Sequence, residues 1–173
     1  MKPSLMKRGV TIVLVGTAAM LAASIWAVRA NTQTLSGGAT GAMFPLYQAT
    51  SLPGSQLINP EELVKLLKSE KPLVIQVGSH VLYQQAHIPG SEYIGPASSE
   101  SGLQSLRKRV ESLRRNQFIV LYCGCCPWSH CPNVKPADDV LRAMGFSNVK
   151  VLYIANNFGA DWVEKGYPVA EGD

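Results

Sequence analysis

The spacing of apolar residues predicts that ordered structure begins near Ile58 with a helix and a buried strand. In residues 59–62 an asparagine that can cap a helix precedes a proline suited to the first helical position and two acids that favour the helix dipole. Leucines at helical spacing continue one apolar stripe through Leu67, and the helix ends before Pro72. The unbroken apolar run at residues 73–77 then predicts a buried strand.

The alternation of helix and strand repeats towards the C-terminus. A second helix places four apolar side chains on one side, at Leu103, Leu106, Val110 and Leu113. The remaining predicted elements are a strand at 118–122, a helix at 137–144, a strand at 149–153 and a short helix at 159–165. Such alternation predicts a single α/β domain, with a mainly parallel sheet and helices on both faces. Any small α/β fold shows the same periods, so the pattern alone does not indicate a function.

Residues 1–30 form a separate, strongly apolar segment. The segment carries four cations and no acid, and residues 9–28 contain no charge, which is typical of an export signal. Val28 and Ala30 are small residues at the minus-three and minus-one positions, so a signal peptide cleaved after Ala30 is predicted. The apolar run is also close to the ~20 residues that cross a bilayer, and an uncleaved membrane anchor at 9–28 is the alternative.

The rest of the chain is predicted to be a linker at residues 31–57 and a folded domain at 58–173. Residues 31–56 contain no charge and are rich in small side chains, which favours a flexible tether. Removing the four N-terminal cations from 16 basic and 12 acidic residues leaves a neutral domain, which lacks the net basic surface that nucleic-acid binding requires. We interpret the local basic set as the solvated side of a helix; it consists of Arg107, Lys108, Arg109, Arg114 and Arg115.

Five short motifs coincide in order along the predicted domain. They are Ile-Asn-Pro-Glu-Glu-Leu at 58–63, His-Ile-Pro-Gly-Ser at 87–91, an apolar strand that runs into Cys123, Gly145-Phe146 before a strand, and Trp162 ahead of Gly166-Tyr167-Pro168. In this order and spacing they resemble the rhodanese-like family over roughly 115 residues. The resemblance implies a single rhodanese-like domain of the α/β class.

The resemblance also implies a role for Cys123. In the family a cysteine at the end of the central strand, in a loop that leads into a helix, accepts a sulfane sulfur and passes it to a nucleophile. Converging amides and a helix N-terminus lower the pKa of a thiol in such a place, so the attacking thiolate is present at neutral pH. We therefore expect a sulfurtransferase that forms a persulfide on Cys123, with a small sulfur donor, a thiol or other nucleophilic acceptor, and no cofactor.

The sequence departs from the family pattern at two places. Gln76-Val77-Gly78 stands where the family carries an acid and an arginine, so we expect the supporting ion pairs to be missing. The loop from Cys123 to Pro136 is longer than the family's, and it contains three prolines but no arginine to hold a dianionic donor such as thiosulfate. Its candidate site residues beside the cysteines are Gly124, Trp128, Ser129 and His130.

All four cysteines of the chain lie in this loop, and three interpretations follow. In the first, Cys123 accepts sulfur and one or more of Cys125, Cys126 and Cys131 resolves the persulfide as a disulfide. In the second, the four thiols pair as two disulfides that staple the loop, without catalysis. In the third, three thiolates from among the four cysteines and the imidazole of His130 bind a thiophilic metal such as zinc or Cu(I).

Three aromatic residues outside the loop are interpreted as structural. His87 lies in a motif that is mainly a structural turn in the family, and Trp162 and Tyr167 have a spacing that indicates packing. The protein as a whole is expected to be exported, either periplasmic or anchored to the outer face of the cytoplasmic membrane. An envelope redox partner would then keep its thiols reduced.

Overall fold

A computed structural model describes residues 51–173 of the chain. The predicted signal peptide or anchor, and the predicted linker as far as residue 50, lie outside the described residues. Within residues 51–173 no helix is both long and apolar enough to span a bilayer.

Five parallel strands form one sheet in the order β1-β5-β4-β2-β3. The strands are β1 (Leu57–Ile58), β2 (Leu73–Gln76), β3 (Glu92–Tyr93), β4 (Ile119–Tyr122) and β5 (Val149–Leu152). The α-helices are α1 (Pro60–Ser69), α2 (His80–Gln85), α3 (Glu100–Val110) and α4 (Val134–Ala143), and a π-helical turn spans Gly159–Val163. The predicted α/β class and parallel sheet are therefore confirmed.

Local side-chain chemistry sets the helix starts. The Asn59 side chain accepts a hydrogen bond from the Glu62 amide at 2.8 Å, so the predicted first helix begins where the sequence indicates. Ser99 caps α3 in the same way, through the Gly102 amide. The fourth helix begins at Val134, three residues before the predicted start at Ala137, because Pro136 is accommodated inside the first turn, where an amide donor is not needed.

Several short elements were not predicted. Residues 51–57 were assigned to the linker, but a 3₁₀ turn at Gly54–Gln56 leads into β1, which pairs with β5. Leu52 and Leu57 pack against the core, so the folded domain extends N-terminally beyond the predicted boundary at Ile58. Helix α2 and the two-residue strand β3 lie between the strand at 73–77 and the helix that contains Leu103, where no element was predicted.

The sheet separates two apolar layers, with helices on both faces as expected. On one side, which we call the cysteine face, α3 and α4 pack against β4 and β5 and enclose Cys123 and Cys131. On the other, the tryptophan face, α1 packs together with Trp162, which is fully buried, and with Tyr122. Tyr122 and Cys123 are consecutive residues, and the alternation of side chains along a strand sends them to opposite faces.

The C-terminal residues hold α2 in place. Ala170 and His87 exchange two backbone hydrogen bonds of 2.9 Å in an antiparallel bridge. The Gly172 amide donates to the Gln84 carbonyl, and the Asp173 carboxylate accepts from Gln84 at 3.2 Å. The end of the chain is therefore a clasp, residues 170–173, across the helix that follows β2.

Candidate functional site

Cys123 directly follows β4, the middle strand of the sheet, at the edge where the carboxyl ends of all five parallel strands meet. This edge is where ligands bind in open parallel sheets. The Cys123 side chain is 4% exposed. Gly124 turns the chain away with a φ of +73°, and a β-carbon at this position would lie 2.7 Å from Cβ of Phe158. The chain therefore enters the cysteine loop, residues 123–133, through a turn that only glycine fits.

The four sulfur atoms are gathered around Cys123, and none of the four cysteines is in a disulfide. Its Sγ lies 3.0 Å from Sγ of Cys125, and Sγ of Cys125 lies 3.5 Å from that of Cys126. The Cys123 thiol also hydrogen-bonds Cys131, which is buried beside it. The loop thus brings together all four cysteines that the sequence singled out.

The expected low pKa does not fall on Cys123. Its pKa is raised because its thiol shares hydrogen bonds with the sulfurs of Cys125 and Cys131 and because the thiol is buried. The hydrogen bond from Cys123 lowers the pKa of Cys125 to about 6, and it lowers that of Cys131 to about 7 with help from the amides of Asn133 and Val134. The backbone amides at the start of α4 therefore act on Cys131, whereas the sulfur of Cys123 faces two other thiols and the side-chain amide of Asn133.

Cys126 differs from its neighbour Cys125. Burial and a hydrogen bond to Cys125 raise the pKa of the Cys126 thiol to about 12. The hydrogen bonds of the cluster therefore favour the thiolate at Cys125 and Cys131 and the protonated thiol at Cys123 and Cys126. Protons in such a cluster are shared, so the macroscopic titration belongs to the group of four.

Two buried side-chain amides support the loop, and neither was assigned a role from the sequence. The Asn133 side chain donates to Sγ of Cys123 at 3.3 Å and accepts from the Ser98 amide at 2.9 Å. The Gln76 side chain donates to the Cys123 carbonyl at 3.1 Å and accepts from the Gly78 amide at 3.0 Å. Gln76 thus supplies neutral hydrogen bonds at the place where the family carries an acid. Both residues are polar within apolar surroundings, and this was the signal that could have found them.

The other predicted loop residues lie further out. Ser129 and His130 are exposed, and the Ser129 hydroxyl lies 2.7 Å from Nδ1 of His130. Trp128 packs edge-on against Tyr153, and its backbone amide donates to the Ala155 carbonyl. These three residues form a short 3₁₀ turn that closes the loop over the cluster.

A set of thiols suitable for a metal lies within the cluster. The sulfurs of Cys123, Cys125 and Cys126 all lie within 4.8 Å of one another. The imidazole of His130 and the sulfur of Cys131, which the metal interpretation also included, are not part of this group among the described residues.

A cavity of about 350 Å³ opens beside the loop. Cys125 and the backbone turn at Gly124 form part of its wall, whereas Cys123 does not line it. The rest of the wall is mainly apolar, with Leu82, Ala86, Phe158 and Val163, and its polar side chains are Gln85 and Asn157. Within the described part of the chain, no Asp, Glu, Lys or Arg side chain lines this cavity.

His87 is a structural residue, as predicted. Its ring stacks on Tyr83 with centroids 4.0 Å apart, and Nδ1 lies 2.9 Å from the Tyr83 carbonyl oxygen, which indicates a protonated Nδ1. Trp162 is fully buried and donates to the Pro168 carbonyl, so its interpretation as a packing residue also holds. Tyr167 lies at the rim, where its hydroxyl donates to Glu61.

Comparison with known proteins agrees with this architecture. The chain is similar to the Alr3790 protein from Anabaena sp. (20% identity over 66% of this chain and 82% of that one, TM-score 0.51) and to the BH2092 protein from Bacillus halodurans (22% identity, 68% and 77%, TM-score 0.52). A solution structure of the Alr3790 rhodanese-like domain is similar as well, with 20% identity over 67% of this chain and 79% of that one and a TM-score of 0.50. At these identities the likeness concerns the fold. Curated protein sequences give no significant match.

The family assignment itself comes from the sequence. The family model described as Rhodanese-like domain matches residues 59–153, which is more than half of the chain. The match begins at the cap of α1 and ends just after β5, so it includes the whole cysteine loop. The chain therefore belongs to the rhodanese-like domain family.

Proposed function

We propose that this protein is a sulfurtransferase-type protein: it takes a sulfane sulfur from a small donor onto its cysteine cluster as a persulfide and passes that sulfur on to a thiol. The observation that carries the proposal is the position of Cys123, at the carboxyl end of the middle strand with a second sulfur 3.0 Å away. A persulfide formed here has a resolving thiol already in contact.

The chemistry requires only a thiolate and a donor that contains a bond between two sulfurs. A thiolate of the cluster attacks the outer sulfur of a hydropersulfide R–S–SH, a new sulfur–sulfur bond forms, and R–S⁻ leaves with the electron pair. The low pKa of Cys125, about 6, supports this step because the thiolate is populated at neutral pH.

The walls of the cavity favour an uncharged donor. Leu82, Phe158 and Val163 offer apolar surface, and no cationic side chain among the described residues lines the space beside Cys125. A dianion such as thiosulfate would lose its hydration there without gaining an ion pair. A small alkyl hydropersulfide is therefore the better donor, and thiosulfate a poor one.

Export places the reaction in the cell envelope under this proposal. Export is supported by the apolar, acid-free segment at residues 1–30, which would act as a signal peptide or as an anchor through residues 9–28. Thiols oxidise in such a compartment, so a thiol-disulfide partner protein would return the cluster to its reduced form.

Consumption of the donor tests the proposal. Freshly reduced, metal-free protein is mixed with a small alkyl hydropersulfide, and loss of the hydropersulfide with formation of its thiol is followed beside the double variant Cys123→Ser/Cys125→Ser. We expect stoichiometric consumption by the natural sequence and none by the double variant. Equal consumption by both proteins, or by neither, would contradict the proposal.

Metal binding is the second candidate, supported by the three sulfurs within 4.8 Å of one another. Three thiolates at this spacing suit a soft ion such as Cu(I), and binding would release protons. Cys126→Ser separates the two functions: it removes a ligand from the group of three, so it weakens Cu(I) binding in a chelator competition, while sulfur uptake at Cys125 and Cys123 continues.

A further inference from the structure

Access to the cluster is unequal, and the thiol at the family's acceptor position is not the accessible one. Cys125 is partly exposed and forms part of the cavity wall. Cys123 is 4% exposed and does not line the cavity. A donor that occupies the cavity therefore meets the sulfur of Cys125 before it can meet that of Cys123.

The two sulfurs are also arranged for a second step. The Sγ atoms of Cys123 and Cys125 are 3.0 Å apart, so they are already in contact. A sulfur added to Cys125 comes from the cavity, which Cys123 does not share. Displacement at a sulfur atom is in line, with the leaving group opposite the attacking thiolate, and this arrangement fits attack by Cys123 on Sγ of Cys125 with departure into the cavity.

We infer that Cys125 is the first acceptor of the sulfane sulfur and that Cys123 then expels this sulfur as hydrosulfide by closing a Cys123–Cys125 disulfide. This inference rests on the uptake of sulfane sulfur in the proposed function and changes its second step, because the sulfur leaves as hydrosulfide and is not transferred to an external thiol. It assigns the nucleophilic role to Cys125 and the resolving role to the cysteine that the family resemblance puts first.

The two steps balance in atoms and electrons. In the first, the Cys125 thiolate bonds to the outer sulfur of R–S–SH, and R–S⁻ leaves. In the second, the Cys123 sulfur loses its proton and bonds to Sγ of Cys125, the bond to the added sulfur breaks, and HS⁻ leaves. Two electrons thereby pass from the two cysteines to the sulfane sulfur. A thiol reductant then opens the disulfide and restores both thiols.

A neighbouring sulfur can accept the proton that Cys123 loses in the second step. The Cys123 thiol hydrogen-bonds the sulfur of Cys131, which is buried beside it. Cys131 can thus accept the proton as Cys123 attacks. Asn133 donates to Sγ of Cys123 at 3.3 Å and holds it in place.

Single serine variants test the order of the two cysteines. Reduced protein is treated with a small alkyl hydropersulfide, trapped with an alkylating reagent and mapped by peptide mass, while released hydrosulfide is measured. We expect Cys123→Ser to retain one added sulfur on Cys125 and to release no hydrosulfide. Cys125→Ser should take up sulfur about tenfold more slowly or worse, because the remaining thiols are buried or protonated. Asp139→Asn, on the exposed side of α4, is the control and should behave as the natural sequence does.

The outcomes distinguish this inference from the proposed function. Sulfur mapped to Cys123 in Cys125→Ser at the natural rate, with no uptake by Cys123→Ser, would overturn the order and leave the proposed function standing. No uptake by the natural sequence would end both. Because a serine variant can lose its fold, limiting alkylation of the natural protein gives a second measurement: Cys125 should be modified before Cys123, and the reverse order would contradict the inference.

Discussion

The histidine loop that leads into β3 and the cysteine loop that follows β4 differ in how their polar groups are used. In the histidine loop, residues 87–90, the backbone of His87 pairs with Ala170 in both directions, and the Ile88 amide donates a hydrogen bond to the hydroxyl oxygen of Tyr122 at 3.2 Å. In the cysteine loop the polar atoms are thiols whose nearest neighbours are other thiols. The histidine loop uses its polar groups in structural hydrogen bonds. The cysteine loop keeps exchangeable thiol protons and an accessible sulfur.

This difference shows how a structural motif can be told from a reactive one. His87 is a residue type that often performs catalysis, yet its ring is stacked and bonded to the Tyr83 carbonyl. Cys125 has a lowered pKa and lies in the wall of a cavity. A titratable side chain with a shifted pKa in a cleft is the better candidate for function.

A pair of glycine variants gives the largest expected difference between the loops. Gly124→Ala combines a left-handed φ with a β-carbon 2.7 Å from Cβ of Phe158, so we expect a loss of about 2–4 kcal/mol in unfolding free energy. Gly90→Ala, in the histidine loop, has a similar φ of +77° but no atom within 4 Å of the new carbon, and should lose only about 1–2 kcal/mol. Denaturant unfolding of both measures this, and equal losses would contradict the packing argument.

The pH dependence of alkylation gives the next effect. Because the thiolate is the reactive form and the pKa of Cys125 is about 6, its alkylation rate should be high at neutral pH and fall as pH drops through about 6. An unperturbed cysteine loses reactivity near pH 8.5, so at pH 6 Cys125 should have on the order of a hundredfold more thiolate. Rates are measured by peptide mass after short exposure to the reagent. A midpoint of the rate profile near pH 8.5 would contradict the low pKa assigned to Cys125.

Tyr122→Phe should weaken the histidine loop and leave the cysteine loop unchanged. The variant removes the hydroxyl that bonds the Ile88 amide and lies 3.1 Å from the Ser91 hydroxyl, both in buried surroundings. We expect a loss of about 1–3 kcal/mol in unfolding free energy. Although the neighbouring residue is Cys123, the rate of thiol alkylation should stay the same, because the two side chains lie on opposite faces of the sheet. A changed alkylation rate would show that the faces communicate.

Asn133→Asp gives the smallest expected effect and acts only on the cysteine loop. A carboxylate of nearly the same shape would replace the amide that donates to Sγ of Cys123 and contacts that of Cys125, and its charge would disfavour a nearby thiolate. We expect the pKa of Cys125 to rise by about one unit and sulfur uptake at pH 6 to slow by up to about tenfold. The alkylation profile against pH checks this, with Asp139→Asn on the exposed side of α4 as the control.

The sequence was sufficient for the elements with strong periodicity and for the location of the chemistry. Helix α1, with its capping asparagine, and the buried strands β2, β4 and β5 follow directly from their patterns. The two-residue strands β1 and β3 have no periodicity to detect and exist only because neighbouring strands pair with them. The four cysteines were correctly grouped at one site, because their residue type and close spacing can be read directly from the sequence.

The order of reactivity within the cluster could not be predicted from the sequence. It depends on which sulfur faces another sulfur, which faces amides and which faces the cavity, and these directions arise from the turn at Gly124. The expected low pKa was therefore assigned to Cys123, whereas the structure gives it to Cys125 and Cys131. The roles of Gln76 and Asn133 depend in the same way on partners distant in sequence.

The clasp at residues 170–173 links the end of the chain to the reaction space. It holds α2, and the residues Leu82, Gln85 and Ala86 at the α2 segment form one side of the cavity. The amide protons of Ala170 and Gly172 are therefore natural reporters of that wall: their hydrogen exchange follows the opening of α2 without any probe near the thiols. A donor that fills the cavity and steadies this wall should slow their exchange, so occupancy of the site can be followed from the far end of the polypeptide.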